Sequence, residues 1–220
     1  MERRFDEELK QLKERLFTMA GMAEQVIGKT VKALVDRQAS LAEEVINDDA
    51  AINRLEVEIE EACLTLLARY QPEAKDLRFI AMVFKIVNDL ERVGDQGVNV
   101  AERTLDVLKE PLLKPLIDIP KMALLAQQML KDALDAFVNQ DAELARAVCR
   151  RDDEVDRLND QVYHDLLVYM TQDPNTITRA VDLILIGRHL ERVADHATNI
   201  AEDVYYLVRG TTIKHRLAGE

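Results

Sequence analysis

Apolar residues recur in alternating steps of three and four along most of this 220-residue chain, the spacing of helix faces packed in a bundle. A first helix is expected from about Phe5 to Arg37, with Leu9, Leu12, Leu16, Met19, Ala23, Val26, Thr30 and Ala33 on its seam. Ser40 and Glu43 form a capping box for a second helix, whose seam Leu41, Val45, Asp48, Ile52, Leu55, Ile59, Ala62 and Leu66 ends at Gln71-Pro72. A third, about Ala74 to Lys109, carries Ile80, Phe84, Val87, Glu91, Gly94, Val98, Ala101 and Leu105. Pro111, Pro115 and Pro120 then mark a junction. Beyond it the plan repeats. A fourth helix is expected over about Lys121 to Asn139. A fifth, capped by Asp141, runs through Leu144, Val148, Arg151, Val155, Leu158 and Val162 to Asp173-Pro174. A sixth reaches about Val208 through Ile177, Ala180, Ile184, Gly187, Glu191, Ala194, Thr198 and Ala201. The expected fold is all-α: six long helices as two tandem three-helix bundles related by internal pseudo-symmetry, residues 1–112 and 113–220.

The repeat is sharpest where the seams are interrupted. LERVGDQGVNVAE, Leu90 to Glu102, returns 100 positions later as LERVADHATNIAE, Leu190 to Glu202, with eight of thirteen residues identical. In each copy Glu, Asp and Asn are spaced i, i+4, i+8 and so line one side of a helix. The ladders are Glu91, Asp95, Asn99 and Glu191, Asp195, Asn199, and each glutamate falls where the pattern asks for an apolar residue.

The preceding helix of each half carries its own polar row: Asp49, Asn53, Glu56 and Glu60 in the first, Asp152, Asp156 and Asn159 in the second. In an antiparallel hairpin, residues equidistant from the turn face each other. Asp49 with Asp95, and Asn53 with Glu91, are both centred on position 72, the turn proline. Asp152 with Asp195, and Asp156 with Glu191, are both centred between Asp173 and Pro174. Carboxylates gathered this way repel and raise one another's pKa unless a cation compensates. Arg92, Arg192 and Arg54 could supply that charge. A metal does so better, and an all-oxygen set suits Mg, Mn, Ca or ferric iron over soft metals. The bland alternative, a solvated acidic helix face, accounts for one ladder but not for the duplication and level pairing together.

Composition narrows the field. Seven Gly, five Pro and no Trp agree with long helices. A net charge of −12 makes nucleic acid a poor partner, and a free anion such as phosphate would be repelled unless a bound metal received it. Cys63 and Cys149 sit in apolar patterns and read as core thiols. No apolar run is long enough to insert in a membrane and the N-terminus is charged, so a soluble, cytoplasmic protein is expected. Gly28-Lys29-Thr30 lacks the upstream glycine of a phosphate-binding loop, Ala23 standing in its place. His164, His189, His196 and His215 form no constellation, the Glu-x-x-His pair of di-metal bundle enzymes is missing, and no catalytic residues are assigned.

The two ladders, the QPEAKDLR turn and the DPNTI turn resemble the PhoU family of phosphate transport system regulators, over nearly the whole chain. That resemblance implies multinuclear metal clusters (Fe, Mn, Mg or Zn) held by paired acidic motifs, one pair per bundle. Mapped here, these are Glu91, Asp95, Asp49 and Asn53 in the first half and Glu191, Asp195, Asp152 and Asp156 in the second, with Asn99 and Asn199 as further ligands. Asn53 departs from a strict carboxylate pattern, so a weaker or smaller first site is expected. The resemblance also implies a cytoplasmic, non-enzymatic homodimer that damps the phosphate-starvation response by contact. Its partners would be a PstB-like ATPase of the phosphate ABC transporter and a PhoR-like sensor kinase. A carboxylate-bridged metal enzyme and a metal-free helical adaptor are the alternatives.

Overall fold

The computed structural model describes residues 2–213, and every regular element among them is helical. The helices are α1 (Glu2–Val35), α2 (Ala39–Tyr70), α3 (Ala74–Leu108), α4 (Asp118–Asn139), α5 (Ala142–Gln172) and α6 (Ile177–Arg209), with a 3₁₀ turn over Pro174–Thr176. His215 lies outside the described residues.

The first hairpin turn of each half closes in the same way. Arg37 and Gln140 take left-handed backbone angles, and the next amide reaches back to a carbonyl of the helix just ended: Gln38 N to Ala33 O, and Asp141 N to Ala136 O, each 2.9 Å. The cap slot therefore falls immediately after the left-handed residue. In the second half it holds Asp141, whose carboxylate accepts from the amides of Glu143 and Leu144. In the first half it holds Gln38, which makes no side-chain cap. The Ser40 capping box is thus corrected: α2 begins at Ala39 and Ser40 already lies in its first turn. Gln71, also left-handed, ends α2 before Pro72.

The proline-rich stretch is only partly a linker. Pro120 sits in the first turn of α4, where its missing N–H costs nothing, so α4 starts earlier than its apolar pattern suggests. The connecting segment is tied to both halves. Arg37 donates to the carbonyls of Leu108 and Glu110 at 3.0 and 2.7 Å, Arg179 donates to Pro111 O at 2.8 Å, and Lys114 pairs with Asp165 at 2.7 Å.

The two hairpins, α2–α3 and α5–α6, lie side by side with α3 against α6, while α1 and α4 pack beneath and touch each other. Apolar residues from both halves form one continuous core. The approach of α1 to α3 is so close that a methyl group at Gly97 would lie 2.1 Å from Val26 Cγ1. A line of polar pairs crosses the α3–α6 contact: Lys85 with Asp203 at 2.8 Å, Asp89 with His196 at 2.9 Å, Gln96 with His189 at 2.9 Å, and Arg103 with Asp182 at 3.3 Å. Asp89 and His189, like Gln96 and His196, are repeat equivalents, so the two central pairs are one contact made twice about an internal pseudo-two-fold. Burial and the neighbouring Arg192 and Arg103 charges hold His189 below its usual pKa, as a neutral ring bonded to an amide would be.

Candidate functional site

The polar ladders occupy the edge of each hairpin, where the helices still touch but water has partial access. On α3 the buried stripe runs through Leu90, Val93, Gly94, Gly97 and Val100, and Glu91 and Asp95 flank it half-buried. Only 17% of the Glu91 side chain and 14% of Glu191 meets solvent, so each glutamate lies across the groove mouth and not inside the core.

In the first half the partner helix supplies Asp49, Asn53 and Glu56. Asn53 Nδ2 donates to Asp49 Oδ2 at 2.9 Å, one turn back on its own helix. Asp49 Oδ1 leans on α3 at the level of Gly94, 3.8 Å from where a Cβ would stand there. Burial pushes Asp49 above its usual carboxylate range, with Asp95 adding to the rise and the Asn53 amide opposing it. Burial also raises Glu91, and the charges of Asp95, Glu56 and Asp49 raise it further while Arg92 opposes. Glu56 is raised by burial, Glu60 and Asp95, again against Arg92. These carboxylates therefore sense one another across the hairpin, as the level pairing requires.

The second half repeats the arrangement with a different wiring. Asp152 is pushed up to about 6 by burial and by the charges of Asp156 and Asp195. Asp156 and Asp195 are exposed at the rim of this cluster, and partial desolvation with the charges of Glu191 and Asp195 raises Asp156. Asn159 Nδ2 crosses the hairpin to donate to Glu191 Oε2 at 2.6 Å, and Arg188 pairs with the other oxygen of Glu191. This bridge sits where α5 and α6 approach each other closely: a Cβ at Gly187 would lie 2.8 Å from Asn159 Oδ1.

Eight sequence-assigned residues are thus gathered into two groups of four: Asp49, Asn53, Glu91 and Asp95, and Asp152, Asp156, Glu191 and Asp195. Glu56 and Asn159 join them, and their signal was already present as the next rungs of the α2 and α5 rows. Asn199 turns elsewhere, donating at 3.5 Å to Asp89 beside His196 in the α3–α6 contact. Asn99, its equivalent, is half-buried one turn beyond Asp95.

As these side chains stand, no three of His, Cys, Asp or Glu among the described residues converge closely enough to hold one ion. The donor chemistry nevertheless fits a hard cation. Asp49 Oδ1, Asn53 Oδ1 and Asp152 Oδ1 are buried oxygens without a hydrogen-bond donor, and such atoms demand a proton, a water or a metal.

Six helices carrying one oxygen-rich cluster per half define a duplicated helical-bundle protein. The PhoU domain family model matches residues 16–104 and again 119–204, and the chain belongs to the PhoU family. It is 44% identical over 209 residues to the "Phosphate-specific transport system accessory protein PhoU homolog" of Aquifex aeolicus, covering 95% of each chain. It is 32% identical to the Escherichia coli accessory protein PhoU, over 96% of this chain and 88% of that one. Among solved structures, PhoU from Pseudomonas aeruginosa superposes with a TM-score of 0.90 at 41% identity, covering 94% of this chain and all of the other. The phosphate transport system regulatory protein PhoU from Streptococcus pneumoniae gives 0.86 at 30% identity, over 95% of this chain and 99% of that one.

Proposed function

We propose that this chain is an accessory regulator of a phosphate-specific transport system, working by protein contact, and that its two carboxylate clusters bind metal. The regulatory role is supported by family membership and by the accessory and regulatory names of its relatives. The metal role rests on one observation: each half buries one carboxylate oxygen that has no donor, Asp49 Oδ1 and Asp152 Oδ1, in a group whose members raise one another's pKa. Asp49, Glu56, Glu91 and Asp95 would hold a cation in the first half, and Asp152, Asp156, Glu191 and Asp195 in the second. Asn53 and Asn159 would orient the acids beside them. A bound divalent or trivalent ion (Fe, Mn, Mg or Zn) would supply positive charge beyond the single arginine each cluster holds.

The protein works without catalysis, on the cytoplasmic side and as a homodimer. It links a PstB-like transporter ATPase to a PhoR-like sensor kinase and lowers kinase output when phosphate is plentiful. Its acidic surface favours basic patches on such partners. No helix among the described residues is long and apolar enough to cross a membrane, so contact with membrane-bound partners would be peripheral. The deciding experiment pairs elemental analysis of the purified protein with a gene deletion. Metal in the protein, and loss of repression of phosphate-scavenging genes in high phosphate, are the expected results. A deletion strain that still represses them would remove the regulatory reading.

A further inference from the structure

Each carboxylate cluster already contains a cation from its own chain. In the first half, Arg92 Nε lies 3.6 Å from Glu91 Oε2, and Arg92 Nη1 lies 3.5 Å from Asp95 Oδ2. In the second half, Arg188 pairs with Glu191. The two arginines are not repeat equivalents. The counterpart of Arg92 is Arg192, and the counterpart of Arg188 is Asn88. One follows its glutamate by a single residue and the other precedes it by three. The halves therefore bring a guanidinium to equivalent glutamates from different positions on the same helix, an outcome that simple inheritance of the repeat does not explain. Both arginine side chains are about half in solvent, 54% and 52% exposed, whereas the glutamates they touch are largely covered. Each can swing into water without disturbing the helices.

We propose that Arg92 and Arg188 are built-in counter-cations that hold the clusters when no metal is present, that a divalent ion must displace, and that thereby set each cluster's metal affinity. This rests on the reading that the clusters bind metal. A guanidinium and a metal ion cannot both occupy the same carboxylate oxygens, and one left beside the ion repels it. Arg188, charge-paired directly with a mostly covered glutamate, is the stronger competitor, and Arg92, at longer distances, the weaker.

A counter-cation has a signature that an ordinary structural salt bridge lacks. Removing it exposes the mutual repulsion of the acids, so the metal-free protein loses stability. It also removes a competitor, so metal affinity rises. A merely structural arginine would lower both.

The test is calorimetric titration of the full chain with manganese chloride, alongside melting of the metal-free protein in chelator. The proteins are native, Arg92→Gln, Arg188→Gln, Arg188→Lys and, as an exposed control on α3 away from the clusters, Arg78→Gln. Arg188→Gln is expected to tighten manganese binding on the order of tenfold and Arg92→Gln about threefold, from the Coulomb repulsion relieved near a divalent ion. Both should melt at lower temperature without metal. Arg188→Lys, which keeps the charge, and Arg78→Gln should bind as the native protein does. If the native protein binds manganese and the two glutamine variants bind it equally or more weakly, the counter-cation role is overturned while the metal-binding reading stands. If the native protein takes up no manganese, the metal reading falls, and this inference with it.

Discussion

The two halves carry the same four-carboxylate budget in different arrangements. At equivalent positions, α2 reads Asp49, Asn53, Glu56 and α5 reads Asp152, Asp156, Asn159, so the amide has moved by one rung. Asn53 alone suggests a poorer first cluster, but Glu56 interacts with Glu91 and Asp95 and restores the carboxylate count. What changes is the wiring. Asn53 bonds within its own helix, whereas Asn159 crosses the hairpin to Glu191. The lesson is that a cluster conserves its total charge more simply than its positions, because any rung facing the groove can supply an acid.

The largest effect should come from metal itself. Each cluster occupied at about 100 times its dissociation constant adds about 2.7 kcal/mol, so chelation should lower the unfolding free energy by roughly 5 kcal/mol if both load. Equal loading of the halves would confirm that Glu56 replaces the acid missing at Asn53. A Glu56→Gln variant should then lose metal from one cluster only, as counted by elemental analysis. A chelator-independent melting temperature would break the comparison outright.

Next in size is the packing difference at positions 97 and 197. The first half has Gly97 against Val26, where a methyl would approach to 2.1 Å, while the second half accommodates Ala197 fully buried. Gly97→Ala should destabilise by about 2 kcal/mol through overpacking, despite the better helix propensity of alanine. Ala197→Gly should cost only about 1 kcal/mol. Urea midpoints of the two variants decide whether α1 really lies closer to its hairpin in this way.

A smaller effect separates the clusters by pH. Folding raises Asp152 from an ordinary 3.8 to about 6. Across that interval the native metal-free protein keeps a proton the unfolded chain has lost, so stability falls as pH rises and the full penalty stands above the folded value. Asp152→Asn should flatten this slope and stabilise the metal-free protein at neutral pH by about 1 kcal/mol, after discounting for a carboxylate that is partly in water. Urea melts in chelator on either side of the interval measure it, and a native protein equally stable at both would contradict the shift.

The smallest effect lies at the matching turns. Asp141→Ala should cost about 1 kcal/mol by removing the α5 cap. Gln38→Asp should add roughly 0.5 kcal/mol by giving α2 the cap it lacks. An unchanged melting temperature for both would mean that the left-handed closures alone set these helix starts.

Much of this was legible in the chain. The heptad-like spacing and the scarcity of Gly and Pro specify six helices, and the duplicated ladder specifies two related halves. The level pairing of Asp49 with Asp95 and of Asp156 with Glu191 agrees with the mutual charge effects seen across both hairpins. The misplaced cap at Ser40 had a local cause. The sequence contains a good capping box there, but the closure at Arg37 fixes the helix start two residues earlier.

Helix identity, hairpin register and the facing of the acid rows follow from the sequence because they depend on local periodicity and on the position of a turn, both of which are written along one strand of chain. The choice of Asn159 as the partner of Glu191 across the hairpin, and the turning of Asn199 to Asp89, were settled only by tertiary structure. They depend on how far each helix is rotated about its own axis and on the docking of α3 against α6. That rotation is set by the summed packing of both halves, including contacts such as Gly187 on Asn159 and Gly97 on Val26, and no single segment encodes it.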